Sequence, residues 1–292
     1  EPAIDYAIAE NRADIEAIIN NPEAPTFENT IVAMEQAGGL LSRVTSLFFV
    51  LNNCSTSPEM QQIALNITPK LTELSNDIAL NPELFARVKA VFDQRESLNL
   101  DQEDSMLLEN TYNSFARSGA LLEGEAQELY RQYTTELSQL TLAFGQNALA
   151  ATNAFTLNIT DEAKVAELPD FVKEGLAAEA AARGEEGWTV TLDAPSYGPV
   201  MTYSSQRDLK EQLYKAYNTR GIGGDSDNLE VIRRITELRL KIAQLLGYKC
   251  YADYVLEEKM AENTATVNGS LNELCVATLN YAHKDVKAVT EF

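Results

Sequence analysis

The sequence contains 292 residues, of which 45% are hydrophobic, enough for one large core or two modest cores. Its 44 acidic and 23 basic residues give a formal net charge of −21, and such a surface repels phosphate backbones and anionic lipid headgroups. The composition therefore argues against a nucleic acid or a membrane as partner, and no apolar run reaches the roughly 18 residues of a membrane-spanning helix.

Helix starts are marked by capping residues in the first third of the chain. Ser57-Pro58-Glu59 and Asn81-Pro82-Glu83 each place a capping side chain before a proline at the first helical position. The acidic residue that follows suits the positive end of the helix dipole. Thr26 predicts another cap, and the Gly38-Gly39 pair predicts a kink or break in a helical run.

Most of the remaining sequence has the apolar spacing of amphipathic helices, with hydrophobic residues three or four positions apart. Such stripes begin at Leu108, Tyr130, Ile235 and Val267, and Gly247 follows the third of them as a stop signal. Each stripe needs a partner surface, so we predict a mainly α fold, a multi-helix assembly.

One segment has the alternation of a β-strand instead. Trp188, Val190 and Leu192 alternate with threonines, a period of two. The segment 193–199 (DAPSYGP) has the composition of a turn, and residues 200–203 could form a second strand. We therefore predict one small β-hairpin near 188–203.

Three cysteines, Cys54, Cys250 and Cys275, stand too far apart for a disulfide framework or a CxxC metal knuckle. We expect them to be small buried apolar groups. This usage fits a reducing compartment and leaves a cytoplasmic or a periplasmic location open.

Histidine is the residue that limits the chemistry most. A catalytic zinc usually takes three protein ligands, commonly two histidines one helical turn apart and a carboxylate. The chain has one histidine, His283, in a segment predicted to be helical, and we interpret it as a structural or surface residue. No residue is assigned as catalytic, cofactor-binding or metal-ligating.

Two other candidate binding motifs lack the residue spacing that their ligands require. Residues 221–224 lack the GxGxxG pattern and are interpreted as a flexible loop, and residues 225–227 begin like a calcium loop that residues 229 and 230 then break. Tyr197, Tyr203 and Arg207 lie in or just after the β element. They either pack the hairpin and cap the next helix or stand at the rim of a binding channel.

Four motifs occur in an order that covers the chain from about residue 20 to 280. They are residues 21–31 (NPEAPTFENTI), 81–85 (NPELF), 187–193 (GWTVTLD) with 213–217 (LYKAY), and 242–248 (IAQLLGY) with 251–254 (YADY). Together they resemble the M3 family of zinc oligopeptidases, and most of all its bacterial peptidyl-dipeptidases (dipeptidyl carboxypeptidases).

The resemblance implies a helical ellipsoid around a deep channel that admits short, unstructured peptides. In that family two histidines of an HExxH helix and a later glutamate hold zinc, and the motif glutamate activates water. No HExxH occurs in these 292 residues. We therefore expect the amino-terminal portion of such a peptidase, which forms a channel wall, contains no zinc and is inactive alone.

The resemblance also suggests a division of the chain. We expect an amino-terminal helical domain at 1–157, a linker with the small β element at 158–203, and the start of the catalytic domain at 204–292. A truncated final helix would expose apolar surface and could form a dimer contact.

Two other functions stay open. One is an independent acidic helical module that binds a protein partner through an apolar stripe. The other is a hydrolase that uses paired carboxylates without zinc. The acidity itself serves solubility or, alternatively, gathers cationic peptides.

Overall fold

A computed structural model describes all 292 residues and divides them into two compact units. Unit 1 contains Glu1–Leu137 and Glu237–Phe292, and unit 2 contains Ser138–Thr236. The predicted mainly α architecture is confirmed, and one two-stranded sheet accompanies the helices. None of the helices is both long and apolar enough to cross a lipid bilayer.

The helices and strands follow one another with short connections. The helices are α1 (Pro2–Ile19), α2 (Ala33–Gln36), α3 (Gly39–Cys54), α4 (Pro58–Ala79), α5 (Pro82–Phe92), α6 (Gln102–Arg117), α7 (Glu125–Asn153), α8 (Asp170–Arg183), α9 (Ala194–Tyr203), α10 (Arg207–Asn218), α11 (Leu229–Leu245), α12 (Tyr251–Leu256) and α13 (Thr264–Glu291). The strands are β1 (Thr156–Ile159) and β2 (Trp188–Thr191), and a π-helical segment, Phe27–Val32, leads into α2.

The predicted helix caps are present. The Ser57 hydroxyl accepts a hydrogen bond from the backbone N–H of Met60 at 3.2 Å, and the Asn81 side chain accepts two from the start of α5 at 3.0 and 2.9 Å. Thr26 forms a reciprocal capping box with Asn29. These side chains satisfy backbone donors that have no partner inside a helix, so local sequence fixes where the helices begin.

The predicted break at the glycine pair separates α2 from α3. Gly38 has a φ of +70°, a conformation that favours glycine, and a Cβ built there would lie 2.0 Å from Nδ2 of Asn11. Both the backbone conformation and the close approach of α1 therefore require glycine at this position.

The core of unit 1 lies between α1, α5 and α6 and the π-helical segment. Phe85 stacks on Tyr112 and Phe115 at ring-centroid distances of 5.8 and 5.9 Å, and Leu84 and Val88 are completely buried. The apolar stripe predicted from Leu108 onward contributes its residues to this cluster.

One carboxylate joins three helices of unit 1. The two oxygens of Asp77 on α4 each lie 2.7 Å from an arginine nitrogen, one of Arg12 and one of Arg131. Burial by itself raises the pKa of Asp77, but the hydrogen bonds and charges of the two guanidinium groups outweigh it and hold that pKa below its usual value.

Unit 2 contains the small sheet, and here one prediction is wrong. Strand β2 forms as expected, but its antiparallel partner is β1, with Ile159 opposite Trp188, and not residues 200–203. Those residues belong to α9. Proline suits the first turn of a helix as well as a β-turn, so Pro195 starts α9, whose Val200 is fully buried in the unit 2 core.

The connection to β2 depends on a second glycine. Gly187 has a φ of +85°, and a Cβ there would lie 2.3 Å from the carbonyl oxygen of Ile159 on β1. The two strands can approach at this end of the sheet because the position carries no side chain.

The burial predicted for the cysteines is wrong for two of the three. Cys54 and Cys275 are exposed, and Cys250 is half-buried. Cys54 ends α3 and Cys275 lies on α13, two helices that contain no buried residue, so apolar character alone did not place them in a core.

Candidate functional site

The sole histidine lies where it cannot gather metal ligands. His283 is exposed on α13, and its carboxylate neighbour Asp285 is two residues away, on a different face of the helix. No three histidine, cysteine, aspartate or glutamate side chains in the 292 residues converge as a metal site would require.

Of the three residues predicted near the β element, Tyr197 is part of a stack. Its ring lies 4.2 Å from that of Tyr217 with an interplanar angle of 17°, and the guanidinium of Arg220 covers the Tyr217 ring at 3.7 Å. Arg220 also donates to the Tyr217 carbonyl at 2.9 Å and to the Thr152 hydroxyl at 3.2 Å. Tyr197 thus packs α9 against α10 in unit 2.

Tyr203 and Arg207 lie on the surface of the same unit. Tyr203 ends α9, and its half-exposed ring contacts that of Phe171 edge-on at a centroid distance of 6.4 Å. Arg207 is exposed at the first position of α10. The three candidate residues therefore do not form one site. Arg207, however, lines a groove that was not predicted from the sequence.

We call this feature the α10 groove, a surface concavity of about 580 Å³. Its lining residues come from the end of α9, the connection that follows, and one face of α10: Met201, Ser205, Arg207, Lys210, Glu211 and Tyr214. The positions 207, 210 and 214 repeat at helical spacing, which brings two cations and a tyrosine to the same opening.

Two carboxylates near the α10 groove are engaged by other groups. Glu167 accepts hydrogen bonds from the Ser205 hydroxyl at 2.7 Å and from its backbone N–H at 2.8 Å. These bonds, with a smaller contribution from the charge of Lys210, hold the pKa of Glu167 below its usual value. Glu211 pairs with Lys215 one turn along α10, at 2.5 Å.

A different kind of surface occurs on unit 1, where two helices expose apolar side chains. On α3 the exposed residues Leu47, Val50 and Leu51 lie on one face. On α13 every residue from position 268 onward is exposed, Leu271 and Leu274 among them. The exposed apolar surface predicted for the last helix is therefore present, and an equivalent surface on α3 was not predicted.

The connection before α13 is held by a nearly buried arginine. The side chain of Arg117, at the end of α6, is 12% exposed and pairs with Glu257 and with Glu258, the latter at 2.8 Å. It also donates to the Tyr254 carbonyl at 2.7 Å and to the Tyr248 hydroxyl at 3.1 Å, and its guanidinium lies 4.5 Å from the centre of the Tyr254 ring. One side chain thus fixes both ends of the segment 248–258.

Comparison with known proteins gives matches along the whole chain. Residues 200–292 match the model of Peptidase family M3. The chain is 35% identical to dipeptidyl carboxypeptidase of Escherichia coli over 293 residues, which is 99% of this chain and 43% of that protein. It is 38% identical to dipeptidyl carboxypeptidase of Salmonella typhimurium over 89% of this chain and 39% of that protein.

Oligopeptidase A of Salmonella typhimurium is similar at a slightly lower level. It is 33% identical over 296 residues, which is 100% of this chain and 44% of that protein. The chain therefore spans less than half the length of the curated relatives that it matches.

Proposed function

The chain belongs to peptidase family M3, and on that basis we propose that it forms part of a zinc peptidase that removes dipeptides from the carboxyl end of short, unstructured peptides. The relatives named dipeptidyl carboxypeptidase are 35% and 38% identical to it, and a relative named oligopeptidase A is 33% identical. The order of these values supports the peptidyl-dipeptidase branch over the oligopeptidase A branch.

The observation that carries the proposal is that the chain aligns with a large part of a peptidase but has too few histidines to bind its zinc. The chain aligns over 99% of its own length with 43% of a dipeptidyl carboxypeptidase, yet its only histidine is an isolated surface residue. We assign zinc binding and water activation to residues outside these 292. The present residues contribute a wall of the peptide channel and select substrates by size.

The exposed apolar helices support this assignment. The faces of α3 and α13 would lose most of their unfavourable contact with water if a further part of the protein packed on them. The start of the catalytic domain at 204–292 remains part of the proposal. When α13 has no such cover, a second copy of the chain could take its place and give a dimer.

Metal content and dipeptide release test the proposal. The 292-residue chain and the product of the longer native reading frame are purified in parallel, assayed on an N-acetylated tetrapeptide, and analysed for zinc. We expect dipeptide release that a chelator abolishes in the longer protein, and neither zinc nor release in the 292-residue chain. Stoichiometric zinc with hydrolysis by the 292-residue chain would contradict the proposal, and chelator-insensitive hydrolysis would favour the carboxylate mechanism.

The second candidate, an acidic helical interaction module, is favoured by the same exposed helices. It predicts that the native reading frame ends near residue 292 and that α3 or α13 binds another protein. Light scattering after size-exclusion chromatography distinguishes a monomer from a dimer, and Leu271→Glu with Leu274→Glu should dissociate a dimer formed through α13. A matched pair of changes on α3, Leu47→Glu and Val50→Glu, identifies the helix involved.

A further inference from the structure

We propose that the α10 groove binds the terminal carboxylate of a peptide through Arg207 and Lys210. The inference rests on the proposed function in one respect, the choice of a peptide as the source of the carboxylate. The groove and its charges stand on their own. The two cations are three residues apart on α10 and line the same opening, with Tyr214 one turn further on.

The first argument is that neither cation forms a close ion pair with a carboxylate of the protein. Acidic residues outnumber basic ones by 44 to 23, and basic residues on the helices of unit 2 find carboxylates within one turn, as Arg183 does with Glu179 at 2.7 Å. The close ion pairs of unit 2 leave out Arg207 and Lys210, whose charges act on Glu211 and Glu167 only over a longer distance. An anion from outside would find donors on both cations that no ion pair occupies.

The second argument is that the nearby carboxylates are turned to other donors. Glu167 is occupied by both donors of Ser205, and Glu211 by Lys215. These donors take up hydrogen-bonding capacity of both carboxylates, while the donors of Arg207 and Lys210 remain open to a ligand. Arg207 and Lys210 thus place two cations at one opening of an otherwise acidic protein.

The third argument concerns the rest of the lining. Met201 offers an apolar contact, and Tyr214, with 57% of its surface exposed, offers a ring face and a hydroxyl. A peptide end combines a carboxylate with one or two side chains of mixed polarity, and the groove of about 580 Å³ lies within the usual size range of small-ligand sites. Inorganic phosphate shares the charge but has no apolar part that would use Met201 or the ring face of Tyr214.

Binding to the 292-residue chain tests the inference without any hydrolysis. N-acetyl-Ala-Ala-Phe is titrated by calorimetry as the free acid and as the amide, with inorganic phosphate as a third ligand. We expect the acid to bind about tenfold more tightly than the amide, because hydrogen bonds to charged groups contribute on this order. Raised salt should weaken the acid more than the amide.

Substitutions then locate the site. Arg207→Gln with Lys210→Gln should abolish the preference for the acid. Lys173→Gln with Arg183→Gln removes two cations that already have carboxylate partners in the same unit, and this control should preserve the preference. Lys215→Gln should weaken acid binding, because it releases the charge of Glu211 at the groove.

The outcomes separate the inference from the proposed function. Equal affinity for acid and amide, no binding of either, or a preference that survives the double substitution at positions 207 and 210 would overturn the inference. Phosphate binding as tight as the acid would overturn its peptide part. None of these results depends on dipeptide release or zinc content, so each proposal can fail while the other stands.

Discussion

Replacement of Arg117 by methionine tests how the segment before α13 is held. Methionine keeps an unbranched apolar side chain beside Tyr254 but removes the charge and all the donors. The Tyr254 carbonyl loses its 2.7 Å partner, and Glu257 and Glu258 lose their cation.

The expected loss follows from the exposure of each partner. A part-buried carbonyl without a donor costs about 1–3 kcal/mol. The carboxylates of Glu257 and Glu258 are 54% and 57% exposed, so water replaces the arginine and each pair contributes only about 0–1 kcal/mol. The cation–π contact with Tyr254 adds about 0.5–1 kcal/mol. Together these give a destabilisation of roughly 1.5–6 kcal/mol.

Urea unfolding and amide hydrogen exchange measure the effect, with Arg95→Met as the matched control. Arg95 also lies over a ring, that of Phe92 at 4.4 Å, and contacts one carboxylate, but its side chain is 41% exposed. The control should change stability by less than about 1 kcal/mol. The Arg117 variant should also lose exchange protection at 248–258. If the two variants behave alike, or if protection at 248–258 is unchanged, the reasoning from burial is refuted.

Three further predictions concern single positions. Gly187→Ala should destabilise unit 2 by about 1–3 kcal/mol, measured by urea unfolding, because its Cβ would meet the carbonyl of Ile159; an unchanged midpoint would contradict the close approach. Asn228→Ala should cost about 1–3 kcal/mol by the same assay, since this buried side chain donates to the Phe144 carbonyl at 3.1 Å. The pKa of Asp77 is lower in the folded state, so its stabilising contribution is present above the unfolded pKa of about 3.9 and is lost as pH falls through the folded value. In Asp77→Asn the fall in the urea midpoint over that acidic range should be shallower than in the parent, and an identical slope would contradict the assignment.

The helical framework could be predicted from sequence because its determinants are local. A cap such as Ser57 or Asn81 acts within three residues, and the apolar stripes act within one or two turns. The break at Gly38 was visible for the same reason. The pairing of β1 with β2 was not, because about thirty residues separate the strands and a four-residue strand has little periodicity of its own.

The α10 groove could not be predicted from local sequence patterns, for a different reason. The spacing of Arg207, Lys210 and Tyr214 is visible in the sequence, but whether a cation finds a partner depends on where acids such as Glu167 point after folding. The outward face of α3 is a similar case. Leu47 and Val50 have the spacing of core residues, and sequence cannot say whether a partner surface exists within these 292 residues.

Helix α13 has a consequence for how the chain melts. Its 28 residues leave the rest of unit 1 after the first turn, so its backbone hydrogen bonds receive almost no support from packing. A helix in that situation follows the helix–coil equilibrium of a free peptide. Its helical content falls gradually as the temperature rises, and the ends unfold first. Circular dichroism of the chain should therefore show a gradual, sloping loss of ellipticity well before the sharp step at which the packed helices unfold.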